Sequence, residues 1–367
     1  MDPKSFSVLG AALIGALACA PAATRAAEPA SAAAEAAAEQ VRTAEPARLA
    51  ARGLLIAIAP AGERLVAVGD RGIIVLSDDR GASWQQVAYV PTQALLTGVC
   101  FLDPQHGVAV GHDQVILTTG DAGRTWKRSH YAPQAQGPLL DVWCGAGGEV
   151  IAVGAYSAYL RSVDGGASWR EVPFKPAAAP AGAGGASHAP AAAAHSGDEE
   201  RAGGGYHLNR IVAGGAGRLY IAGEAGHLYR SDDGGASWHT LLSPYEGSFF
   251  GVLPLSAESL LAFGLRGHLY RSADAGRSWQ AVDTGTVAML TGATRFDGGA
   301  LAVVGLSGVV LLSRDDGHSF TLLQQADRAG LSAAVPADDG RLAVVGENGA
   351  RLITPPGGNA PVPGASP

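Results

Sequence analysis

The sequence predicts an all-β chain folded as a seven-bladed propeller of four-stranded antiparallel blades, and three observations carry that prediction. An octapeptide of the form S/T-x-D-x-G-x-S/T-W occurs six times, beginning at Ser77, Thr119, Ser162, Ser231, Ser272 and Ser313. Its closing aromatics, Trp84, Trp126, Trp169, Trp238, Trp279 and Phe320, are spaced by 41 to 43 residues apart from one interval of 69. A fixed period of about 40 to 45 residues is what propeller blades produce. Finally, seven pairs of β-rich runs are joined through G-x-x-G or a near variant starting at Gly69, Gly111, Gly154, Gly223, Gly264, Gly305 and Gly346, the spacing of a tight hairpin.

In chain order, residues 1–27 have the form of a secretory signal: Lys4, an apolar run from Phe6 to Ala20, then small residues. Cys19 offers a second reading as a lipidated N-terminus. Residues 28–46 are an Ala-rich spacer, and 47–354 hold the repeats. Within them, 173–205 is rich in Ala, Gly and Pro and explains the long interval; such composition buries too little apolar surface to order itself. Its His188 and His195 have no third ligand for a metal. A Pro/Gly-rich tail, 355–367, follows.

The octapeptide reads as a turn between third and fourth strands. Asp79, Asp121, Asp164, Asp233, Asp274 and Asp315 accept backbone N–H groups, the glycine takes φ > 0, and the hydroxyls cap further backbone groups. Calcium needs six or more oxygens, and one carboxylate per copy cannot supply them. No metal, cofactor or catalytic residue is therefore expected in these turns.

The motif matches the Asp-box, or BNR, repeat. Over roughly Leu54 to Thr354 the chain resembles the photosystem II stability and assembly factor family. That resemblance implies an exported seven-bladed propeller without known enzymatic chemistry, one that binds protein and assists assembly or stability of a membrane complex, photosynthetic in the family itself. The long insert departs from the family pattern, and so does the absence of an evident basic patch.

Seven hairpins against six boxes leave the last unit one strand short. Closing the ring calls for a donor, and Ala47 to Ala51 is the segment available. Cys100 and Cys144 occupy equivalent places on the first strands of neighbouring units. Inner strands of adjacent blades are not hydrogen-bonded partners, so two reduced thiols are expected. With 33 acidic and 26 basic side chains, the net charge of -7 argues against a nucleic-acid partner and for a soluble monomer.

The hairpin turns and the inter-blade links share one face, and there the residues vary from blade to blade. Arg71, Tyr156, Glu224 and Arg266 lie on it, with Tyr245 and Glu246 in the link Ser243–Phe250; these six are the candidate protein-binding residues. The link's Phe249 and Phe250 read as the start of a core strand. The enzyme alternative is a sialidase-like glycoside hydrolase, which needs three converging arginines. Arg161, Arg230 and Arg271 each stand just before a box and so occupy one repeat position around the disc, and no Arg-Ile-Pro tripeptide occurs.

Overall fold

Each hairpin pair joins the strand before it and, in six cases, the short strand after its box in one antiparallel meander, and seven sheets, six of four strands and one of three among the described residues, follow one another along the chain in a computed structural model. The structure describes residues 41–178, 205–215 and 217–356, and the unit that carries the sheets runs from Arg42. The chain is a seven-bladed β-propeller. The first strands are Leu55–Ala61, Leu96–Phe101, Leu139–Cys144, Leu208–Gly215, Phe249–Pro254, Leu290–Arg295 and Leu331–Pro336. Each packs beside the first strand of the blades before and after it, and the seventh packs beside the first, so the ring is closed.

Second strands such as Leu301–Gly305 (LAVVG) are buried along their whole length because a neighbouring blade covers each face. The apolar residues gather into seven clusters, one between each pair of adjacent blades. The glycine ending the second strand is sterically required in six of the seven blades. A Cβ on Gly69 would lie 2.2 Å from the Leu54 carbonyl oxygen, and one on Gly264 would lie 2.2 Å from that of Ser248. The next residue donates its N–H to the same carbonyl, Asp70 to Leu54 at 3.0 Å and Leu265 to Ser248 at 3.1 Å.

Closure differs from the expectation. Among the described residues blade 7 has three strands, the last being Gly349–Ile353, and Ala47–Ala51 adds none. Alanine and arginine favour helical backbone over extended backbone, and Ala50–Arg52 forms a 3-10 turn. That segment takes the place of an inter-blade link instead. Gly349 abuts the Ala51 carbonyl just as Gly72 abuts that of Thr92 and Gly267 that of Thr286. Upstream residues placed in the spacer also belong to the fold: Ala44 N–H donates to the Val90 carbonyl (2.9 Å), and Gln86 Nε2 to that of Glu45 (2.9 Å).

Cys100 and Cys144 form a disulfide, with Cα atoms 5.7 Å apart, where reduced thiols were expected. Inner strands converge on the axis, and there two adjacent blades come within bridging distance without sharing a hydrogen-bond ladder. The insert also begins later than 173. Phe174 packs against Tyr159, Tyr229 and Trp238, and Ala177 pairs with His239 on the outer strand of blade 4. At the other end Gly205 is described as well; the rest of the predicted insert, and the tail beyond Pro356, lie outside the described residues.

Candidate protein-binding face

The six box turns are bonded internally, each in the same way. In the first, Ser77 Oγ donates to Asp79 Oδ1 (2.8 Å) and accepts the Gly81 N–H (2.7 Å). Ser83 then donates its N–H and hydroxyl to the two oxygens of Asp79, at 2.8 and 2.5 Å. Asp121, Asp164, Asp233, Asp274 and Asp315 repeat the pattern. The Ser83 hydroxyl and N–H, then Ser77, hold the Asp79 carboxyl down to about 2, and equivalent donors do the same at Asp164 and Asp233. Each carboxylate is taken up by its own turn. Among the described residues no group of three or more His, Cys, Asp or Glu is placed to hold a metal ion.

The opposite face carries the hairpin turns. In six of them the residue two after the first glycine takes left-handed φ between 51° and 57°: Arg71, Asp113, Tyr156, Ala225, Arg266 and Ser307. That conformation costs a non-glycine residue about 1 kcal/mol and sends its side chain outward. Arg71, Tyr156 and Arg266 are accordingly exposed, as is Glu246.

Five of the six candidate residues fall on one run of blades. Tyr156 meets the His207 ring edge-on at 5.0 Å, and Glu224 Oε2 accepts the His207 N–H at 3.2 Å. One residue beyond Glu224, Ala225 bonds Ser248 Oγ (3.3 Å), and Gly226 lies against Tyr245 and Glu246 of the link above it. Tyr245 stacks flat on His268 at 4.2 Å, two residues from Arg266. Blades 3, 4 and 5 thus carry along this face the ring pairs Tyr156–His207, Tyr206–His227 and Tyr245–His268, a strip fringed by Glu224, Glu246 and Arg266. Arg71 stands apart on blade 1, 3.6 Å from Asp70. Phe249 is fully buried as expected, whereas Phe250 is only half-buried.

Sequence reasoning passed over His207, His227, His268 and Tyr206. Tyr206 stacks on His227 at 3.8 Å, a second copy of the Tyr245–His268 arrangement one blade earlier. A signal was present: the residue after the G-x-x-G turn is Ile73, Val115, Ala158, Val309 or Ala350 in five blades and histidine only in blades 4 and 5. The arginines before the boxes do not share a site. Arg161 reaches the Gly235 carbonyl, Arg230 that of Ala275 and Arg271 that of Asp316, each crossing to the next blade. On the box face, a cavity of about 460 Å³ opens between blades 2 and 3 beside Asp103, His106, Lys127 and Asp164. Its imidazole is tied to Asp103, Nδ1 lying 2.9 Å from Oδ2.

The model of the family described as photosynthesis system II assembly factor YCF48 matches residues 76–184. No curated protein matches the chain. Among solved structures, one described as YCF48 bound to D1 peptide superposes with a TM-score of 0.62 at 14% identity, covering 85% of this chain and 95% of that one. YCF48 from Cyanidioschyzon merolae gives 0.63 at 17% identity over 85% and 97%. The WD40 propeller domain of Doa1 gives 0.59 at 12% identity over 85% and 95%. Identities this low show the shared fold, and the family match over blades 1 to 3 shows that the chain is similar to the assembly-factor propellers.

Proposed function

We propose that this chain is an exported, non-enzymatic binding module that recognises a polypeptide segment of a membrane protein complex and assists its assembly or stability. The observation that carries the proposal is the ring strip on blades 3 to 5. It offers flat aromatic area with few rotamers to freeze, edged by charges of both signs, which suits a peptide. A similar propeller has been solved with a D1 peptide bound, which supports a peptide as the class of ligand. The box carboxylates and the three arginines are occupied by structural bonds, which favours binding over glycoside hydrolysis. The cystine between blades 2 and 3 fits an oxidising compartment, the periplasm or a lumen.

The test is capture from detergent-solubilised membranes of the source cells by the purified protein. Arg266→Glu and Tyr156→Ala alter exposed side chains and should lower capture of a membrane subunit roughly tenfold with an unchanged melting temperature. Equal capture by wild type and both variants would refute the assignment of this face.

A further inference from the structure

Among the described residues blade 7 has three strands where the other six blades have four. In the other six blades the third strand is flanked by a short fourth strand, as Tyr270 and Arg271 pair with Ala281 and Gln280. Their third strands all end in one burial pattern, two buried residues, one half-buried, one buried. The corresponding strand of blade 7, Gly349–Ile353, has three successive half-buried residues, Ala350, Arg351 and Leu352. Among the described residues nothing pairs with its outer edge.

The aromatic that opens each fourth strand is missing from blade 7 too, and its place can be identified. In every other blade this ring lies in the core shared with the preceding blade: Trp126 beside Val66, Trp169 beside Val108, Trp279 beside Tyr220, Phe320 beside Leu261. Against the preceding blade 6, a cavity of about 340 Å³ is lined by Leu312, Leu323, Thr321 and Pro356 together with the box residues Arg314, Asp315 and Ser319, and Arg314 Nη2 donates to the Pro356 carbonyl at 2.9 Å. Leu312 occupies the strand position of Leu76 and Thr118, the side chains that abut Gly123 and Gly166 in the boxes of the next blades.

We propose that this edge and cavity together dock an extended segment of a partner polypeptide, which pairs with Gly349–Ile353 as a fourth strand and seats an aromatic side chain against Leu312 and Leu323. Strand addition supplies backbone bonds without regard to sequence, and the cavity supplies the selection for a ring. Of the residues outside the described ones only Phe6 is aromatic, so the rest of them supply no ring for the cavity. The site is separate from the ring strip on blades 3 to 5.

The experiment uses the full chain and a fluorescein-labelled synthetic peptide copying residues 231–242, the box and fourth strand of blade 4. Saturable polarisation is expected, weakened roughly tenfold or more when the peptide's tryptophan is replaced by alanine, and abolished when alternate peptide nitrogens after it are methylated. A benzophenone residue at the tryptophan position should cross-link to the Leu312–Leu323 region, and Arg266→Glu should leave binding unchanged. Leu323→Trp in the protein, which fills the cavity, should remove the preference for the tryptophan peptide; should that variant fail to fold, the methylated peptides decide alone. The proposal fails if binding is not saturable, if the alanine peptide binds equally, or if cross-links fall in blade 4 or on blades 3 to 5. It fails equally if outer-edge amides of Gly349–Ile353 already exchange slowly in the unliganded chain, since its own tail or a second copy would then cover the edge.

Discussion

Replacing Trp238 by alanine tests whether the box aromatics hold neighbouring blades together. The ring is 5% exposed and sits among Tyr159, Phe174 and Ile151, in the core between blades 3 and 4. Truncating a buried tryptophan to alanine costs about 3 to 5 kcal/mol, from lost transfer energy and the void left behind. The indole also donates to Tyr159 Oη at 3.2 Å, but that hydroxyl keeps its own bond to the Gly235 carbonyl (2.9 Å), so no buried donor is orphaned. The middle of the range, about 4 kcal/mol, is therefore expected. Trp279 serves as the internal control. It is only half-buried and bonds the Leu242 carbonyl near the surface, so Trp279→Ala should cost roughly half as much. Urea unfolding followed by far-ultraviolet circular dichroism reads both, through the midpoint at constant slope. Equal losses for the two variants, or a loss below about 1 kcal/mol for Trp238→Ala, would refute the reasoning.

Cys100→Ser, or reduction of the native protein, should lower stability by about 4 kcal/mol, the loop-entropy value for a separation of 44 residues; denaturation with and without reductant checks it, and both thiols should resist alkylation before reduction. Acid should weaken the fold between about pH 4 and about pH 2: the Asp79, Asp164 and Asp233 carboxyls lie at about 2 when folded against an ordinary 3.8, so the stability they add is complete above the ordinary value and is lost as pH falls through the folded one. Asp233→Asn should flatten part of that slope in an acid titration. Gly264→Ala should destabilise the chain more than a surface Gly298→Ala, because its Cβ meets the Ser248 carbonyl oxygen at 2.2 Å whereas nothing lies within 4 Å of the other; thermal melts compare the two. A fluorogenic sialoside should not be turned over, and measurable hydrolysis abolished by Arg230→Ala would restore the glycosidase reading.

The architecture was legible because turns are written locally. Ser231, Asp233, Gly235 and Ser237 satisfy one another within seven residues, so the bonds that define the box are visible as spacing in the sequence. The disulfide was misread because its two partners are brought together by convergence on an axis, and no local pattern encodes how closely inner strands approach. Closure failed for a related reason. Counting strands revealed that one was missing, but whether Ala47–Ala51 would extend or coil depended on weak propensities and on the room left beside Gly349. On the candidate face, Tyr156, Glu224 and Arg266 were named from variability and Tyr245 and Glu246 from the aromatic link beside Arg266, and the structure sets them along blades 3 to 5. His207, His227 and His268 escaped notice because a lone histidine after a glycine carries no recognisable signature until its tyrosine partner is seen stacked on it.

The contact of Gly349 with Ala51 repeats the packing at Gly72 and Gly267, but between blades 7 and 1 it is made without a chain passing from one blade to the next. Elsewhere adjacent blades are tethered by covalent chain, and between blades 2 and 3 by a sulfur bridge as well. Here the first and last blades are held by their shared apolar core, Leu55, Ile58 and Leu65 against Ala333, Ala343 and Val345. A ring built so has a seam, and thermal breathing or mechanical pulling should part it there first, opening the circle into an arc while the remaining sheets stay stacked.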